Sequence, residues 1–398
     1  MRVLVFTSLF PSPAWPTQWV YHVNLVKALS EFADVRVVAP ITWRKRLRHR
    51  AILKGVSRSS LDGVPIYHPT ALVVPGLAMT HGPSLYLSVR PVVDQIFAEW
   101  PFDAILGIWA YPDVYAAGRL ATRYGKPMVA NVIGSDVNDV PNRFGMGSLV
   151  RTSLQSATTV IALSRALRDR VEQLDVQPSK IVVQYNGVDG DRFVLADKAE
   201  MRRRAGFTGG GPLICYVGNM LPEKGPDHLV EAFALLTQRP GVQDTTELVM
   251  IGDGPLLAPL RQRVAALGLE RRLHLIGRKP NSEIASWLSA ADALCLPSLR
   301  EGCPNVVLEA LASGRPVVAS NVGGLPELIR PDTGILVPPA EPAALAEALD
   351  TALRGHWSPE QLRATVPCLS WREFGRSFSD VLAKAAGGLG QVRSEHTA

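Results

Sequence analysis

Two glutamates eight residues apart, Glu301 and Glu309, frame the segment PSLREGCPNVVLEALASGRPVV at 297–318. A strand is expected to end near Pro297. A loop then carries Glu301, Gly302 and Cys303, and a helix is expected from Pro304. Proline loses nothing at a first helical position, whose amide has no partner anyway. The amides of Asn305 and Val306 then point out of the helix unpaired, which makes a ready site for a phosphate or diphosphate. Glu309, one turn beyond Asn305, can accept hydrogen bonds from sugar hydroxyls, and Glu301 precedes the helix at the lip of a cleft. Taken alone, both glutamates also fit charges favoured by the helix dipole. The surrounding pattern, not the pair by itself, carries the sharper reading.

Three further junctions have the same strand–turn–helix form. YVGNMLPEKGPDHLVEAFALL (216–236) places Gly218 and Asn219 after a strand and Lys224 at the start of a helix, where a lysine serves as a point charge on a phosphate. Lysines in such places are also common solvated surface residues. IGDGP (251–255) offers Gly252 and Gly254 for close backbone approach to a ligand, or merely a plain turn. NVIGSDVND (131–139) puts Ser135 and Asp136 after another strand end. A carboxylate there can bind substrate hydroxyls or take up a proton, or else cap a helix. The first turn, SLFPSPAWPTQWVYH (8–22), contains no glycine, so it is no dinucleotide fingerprint, and a nicotinamide-dependent oxidoreductase is disfavoured.

Short apolar runs alternate with amphipathic stretches along the chain, and these elements must position the junctions. Candidate strands are 3–7, 35–39, 104–108, 128–132, 159–163 and 181–184, then 213–217, 248–251, 273–276, 293–297, 316–320 and 335–338. Strands apolar on both faces and separated by helices imply parallel sheets covered on both sides. The stretch 186–212 is charged, lacks a strand pattern and closes on three glycines, so it is expected to divide two doubly wound domains. Ligands of such sheets bind beyond the carboxyl ends of the strands, here in a cleft between the two domains.

Composition narrows the classes. The chain has 398 residues, 47% hydrophobic and 20% charged, which fits two soluble domains rather than a disordered, collagenous or coiled-coil chain. Four cysteines lie far apart without CxxC or neighbouring histidines, against a disulfide framework or zinc site and in favour of a reducing compartment. No apolar run reaches the roughly 18–20 residues of a membrane-spanning helix. Prolines at 11, 13 and 16 make the N-terminus a first strand rather than a signal peptide. The net charge is +6, and between Val35 and Leu61 there is no acidic residue. WRKRLRHRAILKGVSR (43–58) carries Arg44, Lys45, Arg46, Arg48, Arg50, Lys54 and Arg58 interleaved with Trp43, Leu47, Ile52 and Leu53. That suits an anionic membrane surface, or a solvated loop. Nucleic acid is disfavoured, for no stacking platform accompanies the charge.

EGCPNVVLE (301–309) resembles the E-x7-E element of the retaining glycosyltransferases of family 4, which have the GT-B fold. VGNMLPEKG (217–225), IGDGP (251–255), LIGR (275–278), AADALCLPSLREG (290–302), VGGLPELI (322–329), YPDVYAAGRLA (111–121), IGSDVN (133–138) and YNGVD (185–189) extend the likeness over most of the chain. The resemblance implies an α/β GT-B fold of two facing Rossmann-like domains. Residues 1–187 would bind the acceptor and 210–370 the nucleotide sugar, joined by a linker at 188–209. A helix at 371–386 would cross back to the N-terminal domain, before a tail at 387–398. It also implies roles. Lys224 neutralises the donor diphosphate, the Asn305 and Val306 amides cradle the distal phosphate, Glu309 binds the ribose, Glu301 touches the donor sugar, and Arg278 flanks the nucleobase. Glu301, Lys224 and Asp136 are the expected catalytic residues, and Gly218, Asn219, Gly252, Gly302 and Cys303 the further donor contacts. Three positions depart from the family: Asn219 where Arg is usual, Ile133 where His or Arg is common, and Trp19 near an expected glycine.

The expectation is therefore a cytoplasmic, retaining hexosyltransferase, peripheral on the inner face of a membrane through 43–58. It would use a nucleoside-diphosphate sugar, a glycan or lipid-linked acceptor, and neither cofactor nor metal. A sugar-nucleotide epimerase and a non-catalytic donor-binding subunit are the rival expectations.

Overall fold

The computed structural model describes residues 1–16, 18–242 and 244–394, which divide into two compact units. Unit 1 joins Met1–Tyr185 to the C-terminal residues from Trp371 on, and unit 2 is Asn186–Ser370.

In unit 1 the strands are β1 (Arg2–Phe6), β2 (Asp34–Val38), β3 (Ile41–Thr42), β4 (Arg58–Leu61), β5 (Val64–Tyr67), β6 (Thr70–Ala71), β7 (Ala104–Ile108), β8 (Met128–Val132), β9 (Thr159–Ala162) and β10 (Ile181–Val183). The sheet runs β10-β9-β8-β7-β1-β2-β5-β4, and β3 pairs with β6 apart from it. Every residue of β7 and β8 is buried, as apolar runs between two layers of helices require. Only β4 is antiparallel to its neighbour. It joins β5 through Asp62 and Gly63, both at positive φ (48° and 88°), the I′ turn that matches strand twist. The charged stretch before β4, read from sequence as a membrane-surface segment or a solvated loop, forms helices at Trp43–Arg48 and Arg50–Leu53.

The C-terminal helix spans Trp371–Ser394 rather than stopping at 386, so 387–394 is helical and not tail; residues 395–398 lie outside those described. It packs on the helix Val20–Ser30 within unit 1. The approach is close at Gly375, where a Cβ would stand 2.4 Å from the carbonyl carbon of Ala28. Phe374, Phe378 and Leu382 are fully buried along it.

Unit 2 contains β11 (Leu213–Val217), β12 (Glu247–Ile251), β13 (Leu273–Gly277), β14 (Ala293–Leu296), β15 (Val317–Ser320) and β16 (Gly334–Val337) in the order β13-β12-β11-β14-β15-β16, all parallel. Tyr216, Phe233, Leu248 and Met250 anchor its core. The stretch 188–209, expected as a linker, is instead an integral part of this unit. Val188, Phe193 and Met201 are buried. The helix Lys198–Ala205, capped by Asp197, lies on the helix Asn281–Ala290, and Arg202 donates to the Ala290 carbonyl and the Asp292 carboxylate. Its charges hid these three buried apolar residues.

Phe378→Ala removes a fully buried ring from the seam between the two helices of unit 1. Urea denaturation is expected to show unit 1 destabilised by about 3–5 kcal/mol, with the circular dichroism of the remaining fold kept below the transition.

Candidate active site

Strand order reverses in unit 2 between β11 and β14, which stand side by side while their following loops lead to opposite sides of the sheet. A crevice at the carboxyl ends follows from that reversal. The loop after β11 brings Lys224 to it and the loop after β14 brings Glu301. Their side chains meet at 2.7 Å, and the Ser298 hydroxyl donates to the same Glu301 Oε1 at 2.7 Å. Glu301 is only 6% exposed and Lys224 27%, so the pair is largely withdrawn from water yet open on the lysine side.

Glycines make this convergence possible. Gly225, at φ +59°, would place a Cβ 2.2 Å from the Pro297 carbonyl oxygen, and Leu299 N donates to the Glu223 carbonyl. The two loops are thereby strapped backbone to backbone. Gly323, at φ +54°, would put a Cβ 1.9 Å from the Glu301 carbonyl oxygen, while Gly324 N donates to Gly302 O. The loop after β15 therefore presses directly on the backbone of Glu301 and Gly302, and only glycine fits there. Gly252 approaches the Gly218 carbonyl in the same manner, with a Cβ position 1.8 Å away. Asn219 exposes its side chain, and its carbonyl accepts from the buried Tyr216 hydroxyl at 3.0 Å.

The helix Asn305–Ala312 starts one residue later than expected: Pro304 is its extended cap (φ −74°, ψ 115°) and not its first turn. Val307 N donates to Pro304 O, whereas the amides of Asn305 and Val306 have no partner among the described residues. The Asn305 side chain is engaged: its Oδ1 accepts from Asn186 Nδ2, which also reaches Cys303 O at 3.4 Å. Glu309, partly exposed, lies in the fields of Arg192 and Asp189, and loss of water pushes its carboxyl up to about 7. Burial pushes the Cys303 thiol up to about 12, so it stays a neutral packing group. Arg278 stands exposed after the edge strand β13, two strands from the crevice.

Asp136 belongs to unit 1, and its placement corrects the sequence expectation. It is wholly buried, and its oxygens accept from the backbone amides of Ala110, Ile133 and Gly134 at 2.8–3.1 Å. It neither caps a helix, since Gly134 does that, nor presents a carboxylate to substrate. It braces the loop after β8 against the loop after β7, which removes it from the candidate catalytic residues. A second carboxylate, Asp113, went unassigned in the sequence. It lies at the strand-order reversal of unit 1, between β1 and β7, and accepts from Ser8 N (2.7 Å) and Ser8 Oγ (2.8 Å). Burial pushes it up to about 7. Its sequence signals were its position five residues past an apolar strand and its place in YPDVYAAGRLA (111–121). Trp19 occupies left-handed backbone, φ 61° and ψ 38°, and stacks on His22 at 5.9 Å. A bulky side chain at such angles costs about 1–2 kcal/mol. Asn186 and Gly323 were likewise missed as site residues, because their partners are distant in sequence, and Ser298 was missed although its partner Glu301 is only three residues away.

The basic segment is also sorted by the fold. Arg44, Lys45, Arg48, Arg50 and Lys54 are exposed together with Leu47 and Ile52. Arg46 turns inward and donates to the carbonyls of Leu53, Val56 and His68. Leu53 is buried and Trp43 Nε1 is bonded to Val73 O, so neither is the exposed anchor the sequence suggested. Among the described residues no helix is long and apolar enough to cross a membrane.

The family described as "Glycosyltransferase Family 4" matches residues 18–192, and "Glycosyl transferases group 1" matches residues 197–366. The chain is 30% identical over 373 residues to the putative teichuronic acid biosynthesis glycosyltransferase TuaC of Bacillus subtilis, covering 90% of this chain and 91% of that one. It is 32% identical to the D-inositol 3-phosphate glycosyltransferase of Frankia alni over 64% of this chain and 63% of the other. Among solved structures, Anabaena HepE in complex with UDP is similar with a TM-score of 0.68 at 20% identity, over 99% of both chains. Two doubly wound units, the matched halves and a full-length relative converge on one assignment: this chain belongs to the glycosyltransferases of GT-B fold.

Proposed function

We propose that the chain is a retaining hexosyltransferase acting from a nucleoside-diphosphate sugar onto a hydroxyl of a lipid-linked glycan in polysaccharide or cell-envelope biosynthesis. The Lys224–Glu301 contact at the crevice, beside two unpaired helix amides, is the observation that carries the reading. The names of TuaC, a putative teichuronic acid biosynthesis enzyme, and of HepE, crystallised with UDP, support the pathway class and the donor class. Unit 1 is assigned the acceptor, and a cytoplasmic, membrane-peripheral location through the exposed residues of 43–58 goes with it.

A donor diphosphate carries more negative charge than one carboxylate, so it displaces Glu301 from Lys224. The lysine then serves the phosphates and the freed glutamate turns to the sugar. The amides of Asn305 and Val306 receive the distal phosphate, and Glu309 accepts from the ribose hydroxyls. The bond from the anomeric carbon to the phosphate oxygen breaks as the acceptor oxygen bonds that carbon from the same face, and the departing phosphate takes the acceptor's proton. Stabilising the leaving charge is the main term. In this reading Lys224 and the helix amides supply the positive field without a metal ion.

Three measurements test it. Lys224→Ala is expected to abolish measurable transfer, because losing a buried charge partner costs about 2–5 kcal/mol. Asn219→Arg, adding a cation to the same loop, should lower the donor KM; near-normal turnover in Lys224→Ala would overturn the phosphate assignment. Glu309→Gln should mainly raise the donor KM and Glu301→Gln mainly lower kcat, since only the second contact strengthens as charge develops. Steady-state kinetics giving the opposite split would reverse the two roles. Finally, Glu309 serves the ribose as the ionised acceptor, but loss of water raises its carboxyl to about 7. Each pH unit below that value should weaken nucleotide-sugar binding about tenfold, with a plateau above it. Calorimetry from pH 5.5 to 8.5 reads this slope, which Glu309→Gln should flatten.

A further inference from the structure

Large apolar side chains that water should reject gather on one part of unit 1. Leu72, Val74, Leu77, Met79, Leu87 and Phe144 are each at least 46% exposed, and Phe144 reaches 96%. They come from three segments that the structure ties together. Leu72 N donates to Ser88 Oγ beside Leu87 at 3.0 Å, and His81 Nε2 is bonded to Val74 O at 2.9 Å. Met79 lies against Gly145, next to Phe144: a Cβ on that glycine would stand 2.7 Å from the Met79 sulfur. Contiguous exposed apolar surface of this kind marks an interaction site.

The charge around it identifies the partner. Trp43 Nε1 bonds Val73 O at 2.9 Å, which fixes the helix Trp43–Arg48 beside the 72–79 loop. From that helix and the next, Arg44, Lys45, Arg48, Arg50 and Lys54 reach solvent, with Leu47 and Ile52 among them. Asp62 is the single acidic residue between Asp34 and Asp94, and it is paired with Lys27 at 2.7 Å. A second copy of this chain would oppose like charges across a twofold interface, which is unfavourable. An anionic surface that is apolar below its charged layer meets both features.

We propose that the 72–79 loop, Leu87 and Phe144 form an apolar ledge that enters the interfacial layer of an anionic bilayer, while the neighbouring basic helices lie on the headgroups. Interfacial elements of this composition sink about 5–10 Å below the headgroup level. The proposal rests on the reading of 43–58 as membrane-facing and adds the inserting element that the charged segment lacks. It holds whatever the acceptor is.

Vesicle co-sedimentation of the full chain tests it, with phosphatidylcholine alone and with phosphatidylcholine containing phosphatidylglycerol, at 0.1 M and 1 M salt. The unaltered chain should bind the anionic vesicles and weaken at high salt, as the Debye length falls from about 10 Å to about 3 Å. Leu77→Ser with Phe144→Ser should cut partitioning about tenfold or more. Both side chains are exposed, so the unfolding midpoint should be unchanged. Arg44→Gln with Arg48→Gln and Arg50→Gln should remove the preference for anionic lipid. If the serine variant binds as the unaltered chain does while the glutamine variant fails, the ledge is overturned and the electrostatic reading survives. Absence of binding to every vesicle overturns both. Concentration-dependent self-association that the serine variant abolishes, without vesicle binding, makes the face an interface between copies and overturns the proposal.

Discussion

Much of unit 2 answers to one constraint: a lysine and a glutamate from two different loops must meet at a strand-order reversal. Lys224 follows β11 and Glu301 follows β14, so their contact exists only if both loops fold back over the sheet edge to within hydrogen-bonding distance. An ion pair in a half-dry crevice is favourable when its remaining hydrogen-bonding needs are met. Ser298 meets one of them, and Gly225 and Gly323 let backbone lie on backbone where any side chain would collide. The contact holds the two loops of the crevice in order, and the proposed donor would engage the same two groups. Preorganisation and binding therefore draw on the same atoms.

Unit 1 is built on the same sheet logic with different chemistry. Its reversal, between β1 and β7, gathers carboxylates that face inward: Asp113 under the first loop through Ser8, and Asp136 under the next through three amides. Backbone amides are the cheapest partners for a buried carboxylate, because they offer partial positive charge without a second ion to desolvate. Both residues therefore shape loops. Beside them Trp19 holds left-handed backbone, and its ring leans on a neutral, buried His22 whose imidazole is pulled down to about 4.

The basic segment shows how composition and placement differ in what they say. Seven cations between Arg44 and Arg58 describe a field, and that field is real. Arg46 nevertheless serves three carbonyls inside the unit, and Leu53 fills the core. The apolar half of the surface comes from residues 72–79, 87 and 144, brought alongside by a hydrogen bond from Trp43 and by the packing of Met79 on Gly145.

Sequence alone determined the six strands of unit 2 and six of unit 1, but not β3 to β6, whose short runs of two to four residues include the antiparallel β4. Apolar runs of four or five residues spaced by helices have few ways to bury both faces, and the parallel order follows. The meeting of Lys224 and Glu301 was legible because each lies on a strand-end loop, where local geometry already points it toward one end of the sheet. Tertiary structure decided the rest. Whether Asp136 reaches the Ala110 amide as well as its own loop, whether Asn186 holds the start of the 305–312 helix, and whether 188–209 links or packs all depend on groups tens to more than a hundred residues away. Hydrogen-bond partners at such separations are set by how the layers close, and no local pattern of residue types encodes that distance.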